Sequence, residues 1–101
     1  MTTLDELFEM TEELRKTLQA FSDKEPYGTP SEAAARVFYA WLDEAGPLST
    51  KPGHYADVRA NYIVQDNTNR DLFDLLNMLH QYIEYPEPEV EEKLFIGLPV
   101  I

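Results

Sequence analysis

The chain holds two histidines and no cysteine, so chemistry at neutral pH has few side chains to run on. Without a thiol there is no thiolate nucleophile, no disulfide and no zinc site built on sulfur. His54 falls in a loop beside Gly53. His80 lies at the edge of a broad apolar helical face with Glu84 four residues on, a spacing at which two side chains pair on a helix surface. A packed or surface histidine with an incidental ion pair accounts for that spacing, because a metal site needs further ligands that no spacing here supplies. The stretch Asp66-Asn67-Thr68-Asn69-Arg70-Asp71 starts like a calcium loop and fails as one. Arg70 stands at a ligand position, the sixth position is not glycine, and Asn77 replaces the glutamate of the twelfth. Gly28, Gly46, Gly53 and Gly97 are scattered, so none belongs to a glycine-rich phosphate cradle. Nothing singles out a pair of carboxylates for glycoside chemistry. The inventory assigns no catalytic, cofactor-binding or metal-ligating residue, and the expectation is a protein that is not an enzyme and needs no cofactor.

Charge is the stronger signal. Nineteen acids against eight bases give 101 residues a formal charge of −11. Such a chain repels nucleic acid and anionic membrane and attracts basic surfaces. Residues 1 to 25 hold seven acids and three bases, and residues 86 to 101 hold four acids and one base, so the two ends carry seven of the eleven net charges. Asp5, Glu6, Glu9, Glu12 and Glu13 fall within an arc of about 120° on one helix. Part of this is ordinary helix chemistry. Acids near a helix start complement the macrodipole, and Glu12 with Lys16 makes a favourable i, i+4 pair.

The elements that must carry these residues are helical. Thr3 with Glu6 is a capping box opening a helix over about Leu4 to Phe21, with Leu4, Leu7, Thr11, Leu14, Leu18 and Phe21 as an apolar stripe interrupted by threonine. Thr29-Pro30-Ser31-Glu32 reads as a second box, with Thr29 as cap and Pro30 at the first helical position, starting a helix over residues 30 to 45 that Gly46-Pro47 ends in a left-handed cap. Its polar side includes Tyr39, which reads as exposed. Residues 54 to 65 favour helix, although Tyr62-Ile63-Val64 also suits a short strand. Thr68 with Asp71 starts a fourth, very apolar helix from about Asn69 to Tyr85, stopped by Pro86 and Pro88. A short fifth helix from about Pro88 to Ile96 precedes the apolar tail Leu98-Pro99-Val100-Ile101.

The fold expected over residues 1 to 101 is a single all-α domain, a compact bundle of about four principal helices plus a short C-terminal helix or extended tail. No apolar run approaches the ~20 residues that span a bilayer, and the amino terminus lacks the form of a secretory signal. A cytoplasmic protein without membrane or direct nucleic-acid contact is expected. The expected function is non-enzymatic: an acidic protein that occupies a basic surface of another macromolecule, as an inhibitor, immunity factor or antitoxin-like partner does. A nucleic-acid-binding protein, whose channel the acids imitate, is one form of that partner. The expected contact residues are Asp5, Glu6, Glu9, Glu12 and Glu13, the tyrosines Tyr39 and Tyr85, whose amphipathic rings suit interfaces, and Glu87 and Glu89. The competing expectation is a homo-oligomeric assembly factor that joins copies through the helix-one stripe and the apolar tail.

Overall fold

A computed structural model describes residues 2–85. Among the described residues there are four α-helices and no strand: α1 (Leu4–Lys24), α2 (Glu32–Ala45), α3 (Pro52–Asn61) and α4 (Asn69–Leu79), with single 3₁₀ turns at Gly46–Leu48, Val64–Asp66 and His80–Tyr82. The all-α bundle of four principal helices is therefore observed. The expected fifth helix and the tail lie outside the described residues.

Capping fixes where the helices begin. The Glu6 amide donates to Thr3 Oγ1 at 3.2 Å and the Thr3 amide donates back to Glu6 Oε1 at 3.2 Å, which closes the first box. Thr68 and Asp71 close the same reciprocal pair at α4. The start of α2 differs from expectation. Ser31, not Thr29, is the cap, its hydroxyl accepting the Ala34 amide at 3.1 Å, and the helix opens at Glu32. Pro30 stays outside the helix because its fixed φ suits extended chain equally well, and its ring is buried.

The ends differ more. Gly46 has φ −51° and ψ −53°, a right-handed rather than left-handed geometry, and the chain runs on into the 3₁₀ turn. Glycine serves close approach here: a Cβ on residue 46 would come within 3.2 Å of Tyr55 Cβ, where α3 packs on the end of α2. α3 runs from Pro52, so of the two readings of residues 54 to 65 the helix is observed, ending earlier than expected, and the short strand is not. The helix stops at Asn61, and Tyr62 and Ile63 are extended without pairing into a strand. α4 stops at Leu79, short of Tyr85. Beyond it the Tyr82 carbonyl accepts the Thr50 amide at 2.7 Å and the Thr50 hydroxyl at 3.1 Å, which holds the chain out of a continuing helix.

The stripe of α1 is consumed inside the chain. Leu7, Leu14 and Leu18 are buried, α1 packs mainly on α4 and then on α2, and α2 carries α3. Phe21, expected on that stripe, is 43% exposed, and Met78 of α4 is 46% exposed. Trp41, Phe38, Tyr55, Leu72, Leu76 and Leu79 fill the centre. The stripe's one polar member explains itself. The Thr11 hydroxyl donates to the Leu7 carbonyl at 2.7 Å and accepts from Trp41 Nε1 at 2.8 Å and from the Tyr85 hydroxyl at 3.0 Å.

Thr11→Val keeps the shape and strands the buried Trp41 indole N–H and the half-buried Tyr85 hydroxyl, so it should lower unfolding free energy by about 1–3 kcal/mol in urea titration. Thr11→Ser, which keeps the hydroxyl, should cost no more than about 1 kcal/mol. Equal effects of the two variants would show that packing, not the hydrogen bonds, is at stake. A second pair separates two tyrosines. The Tyr39 hydroxyl donates to the Tyr62 carbonyl at 2.7 Å and accepts the Val64 amide at 3.2 Å, whereas the buried Tyr62 hydroxyl has no partner among the described residues. Tyr39→Phe should therefore destabilise by about 1–3 kcal/mol, and Tyr62→Phe should be neutral or stabilising by about 1 kcal/mol. A comparable loss in both would overturn this assignment.

Candidate functional site

The acidic arc is built by the rotation of α1 about its own axis. Burying Leu7, Thr11, Leu14 and Leu18 turns Asp5, Glu6, Glu9 and Glu13 outward, and all four are exposed. None of them forms a salt bridge among the described residues. Glu12 is half-buried and pairs with Arg15 at 3.0 Å, so its partner is three residues on rather than Lys16 at four. The hydrogen bonds from the Thr3 amide and hydroxyl hold the Glu6 carboxyl below the usual range, keeping it charged.

The hairpin of α1 and α2 adds an acid that sequence reasoning missed. The Thr2 hydroxyl donates to Glu44 Oε2, which ties the amino terminus to the end of α2 and brings Glu44 beside the start of the arc. Antiparallel pairing of the first two helices, once assumed, would have signalled it. Thr2, Glu6, Glu9, Met10 and Glu13 line a shallow basin of about 360 Å³ with no basic side chain on its walls. Met10 and Glu13 also belong to the wall of a second groove, about 280 Å³, between α1 and α2. That groove is apolar, lined by Leu14, Phe21, Ala33 and Val37 among others, and Phe21 and Val37 are 43% and 48% exposed.

The remaining expected contact residues are placed differently. Tyr39 is half-buried, not exposed, because its hydroxyl caps the extended backbone at Tyr62 and Val64 and the Arg59 guanidinium lies 4.6 Å over its ring. Tyr85 is half-buried as well, its hydroxyl on Thr11 and its ring edge-on to Phe8 at 5.2 Å. Neither tyrosine joins the arc as a free surface. Glu87 and Glu89 lie outside the described residues.

Other features are chemically occupied. A wider groove of about 430 Å³ between α2 and α3 has Arg59 on its rim, but that cation is held by Asp43 at 3.1 Å. Tyr55 on its wall gives its hydroxyl to the Leu79 carbonyl, and burial pushes that hydroxyl far up in pKa. His80 and Glu84 do not pair among the described residues, because α4 ends at Leu79 and the helical i, i+4 register is lost between them. His54 lies in the first turn of α3 and not in a loop, because α3 already opens at Pro52; it is exposed, with its ring edge-on to Tyr82 at 5.4 Å. Among the described residues no three His, Asp or Glu side chains are placed to hold a metal ion, and no helix is long and apolar enough to cross a membrane. Comparisons with protein-family models, with curated proteins and with solved structures gave no match.

Burial lowers the pKa of His80, the charge of Arg15 lowers it further, and Glu12 opposes both. In the unfolded chain the same imidazole titrates near ~6.5. As pH falls below that value the unfolded state takes up a proton that the folded state resists, so stability present above the unfolded pKa is lost on the way down to the folded one. His80→Gln should therefore show a smaller drop in urea midpoint between pH 7.5 and 5.5 than the parent chain. Identical drops would show that His80 is not desolvated in the folded state.

Proposed function

We propose that this chain is a non-enzymatic binding protein whose α1 carboxylates engage a lysine- and arginine-rich surface on another protein. One observation supports the reading above the rest: Asp5, Glu6, Glu9 and Glu13 stand exposed together, and none of them forms a salt bridge among the described residues. The macrodipole and capping account for Asp5 and Glu6 in the first turn, since that effect fades within one turn. They do not account for Glu9 and Glu13. Asp5, Glu9 and Glu13 at four-residue spacing repel one another on a helix surface, a cost that an opposing basic surface would relieve on contact.

The competing reading, assembly of copies through the helix-one stripe, has less behind it, because Leu7, Leu14 and Leu18 are already buried within the chain. Electrostatic attraction acts at long range in a cleft or along a charged face, so association is fast and weakens with salt. Inhibition of a basic protein, by covering the surface that protein uses, is the form of activity this arrangement suits.

The test is retention of basic proteins from a lysate on the immobilised full chain, with parent and Glu9→Lys/Glu13→Lys compared at low and high salt. Proteins retained by the parent should be basic, elute with salt, and associate with the double variant about tenfold or more slowly. Circular dichroism should show the variant folded, since both positions are exposed. Retention that is unchanged by the charge reversal, or that survives high salt, would remove the arc from the contact.

A further inference from the structure

The arc does not stand alone: its basin runs into the apolar groove between α1 and α2, with Met10 and Glu13 common to both walls. Two antiparallel helices leave such a trough along their outer seam, and a third helix is the shape that fills it, ridges into groove. From Glu6 to Phe21 the trough follows α1 for about 22 Å, enough for about four turns of a partner helix. One end offers carboxylates and no cation. The other offers Phe21 and Val37, each close to half exposed, with Ala33 exposed between them and Leu14 at the floor.

Charge selects the occupant. A second copy of this chain would bring another formal −11 against the same acids. The chain's own C-terminal segment brings repulsion as well: residues 86 to 93, which follow Tyr85 in sequence, hold four acids and one base. A cationic segment meets attraction where both of these meet repulsion.

We propose that the seam of α1 and α2 docks a basic amphipathic helix of a partner protein, its apolar side against Phe21 and Val37 and its lysines and arginines against Glu6, Glu9 and Glu13. This rests on the reading of the chain as an acidic binder and adds the surface and the partner's form. Carboxylates steer the approach, and burial of the apolar side supplies the residence time.

The experiment uses the full chain and two synthetic peptides of identical composition, about 16 residues long to match four turns or more. One has leucine and phenylalanine on one helical face and lysine and arginine on the other; its scramble has no apolar face. Fluorescence anisotropy measures affinity, and amide chemical shifts locate the contact. The amphipathic peptide should bind about tenfold or more tightly than the scramble, with shifts centred on Met10, Thr17 and Val37. Val37→Ser and, independently, Phe21→Ser should remove most of that advantage and leave the scramble's salt-sensitive binding unchanged. Glu9→Lys/Glu13→Lys should weaken both peptides. Equal affinity for the two peptides, with no shifts in the groove, overturns the docking site while leaving the acidic binder intact. Binding of neither peptide overturns both. Stronger peptide binding by the charge-neutral Phe95→Ser would identify the chain's own tail as occupant, and a dimer abolished by Val37→Ser would identify a second copy; either result overturns the proposal.

Discussion

The structure depends on one buried hydroxyl. Thr11 Oγ1 has one proton and two lone pairs, and all three are engaged: the proton on the Leu7 carbonyl, the lone pairs by the Trp41 indole and the Tyr85 phenol. The three contacts come from α1 itself, from the largest side chain of α2, and from the segment beyond α4. They fix how far α1 is rotated about its axis. A turn of one residue would carry Thr11 out of reach of both donors and leave a buried indole unsatisfied and a half-buried phenol without its partner. The same rotation decides which residues face water, so the acidic arc and the wall of the apolar groove are set by a group that touches neither.

Most of the fold was legible because local signals and packing agree. The boxes at Thr3–Glu6 and Thr68–Asp71 name their helices from four residues each, and the apolar spacing of α1 and α4 puts Leu7, Leu14, Leu72, Leu76 and Leu79 where they are found. What was not legible turns on tertiary partners. Tyr39 projects to the polar side of α2 and still becomes half-buried, because α3 ends beside it and leaves the backbone at Tyr62 and Val64 in need of a hydrogen-bonding group. Gly46 reads as a left-handed cap but is right-handed, its missing side chain required by Tyr55 from a helix not yet placed. Periodicity also runs α4 on to Tyr85, because nothing local announces that Thr50 will claim the Tyr82 carbonyl. At the candidate site the four outward acids of α1 follow from helix geometry alone, whereas Glu44 and the groove exist only once two helices are side by side.

The charges of α1 divide by cause. Asp5 and Glu6 lie in the first turn, where unpaired amides favour anions, and Glu6 closes the cap. Glu12 has Arg15. Glu9 and Glu13 have neither explanation, and they are the residues that border Met10 at the mouth of the apolar groove. Surface carboxylates are common and usually serve solvation. Two that lack a local cause, beside an apolar trough with Phe21 and Val37 close to half exposed, form an amphipathic surface complementary to a cationic, apolar-faced segment.

Such a surface separates two tasks that one kind of contact performs poorly. Exposed ion pairs are individually weak and screened within about 10 Å in salt, so carboxylates alone attract many cations and retain few. Apolar burial is strong per unit area and blind to charge, so a groove alone would accept any greasy helix. Joined along one hairpin as proposed above, the carboxylates would disfavour acidic helices at the encounter and the groove would release cationic segments that lack an apolar face. Discrimination of this kind needs the two features held at a constant offset, and α1 supplies that offset because Glu9, Met10, Glu13 and Phe21 share a single rigid helix whose rotation Thr11 fixes.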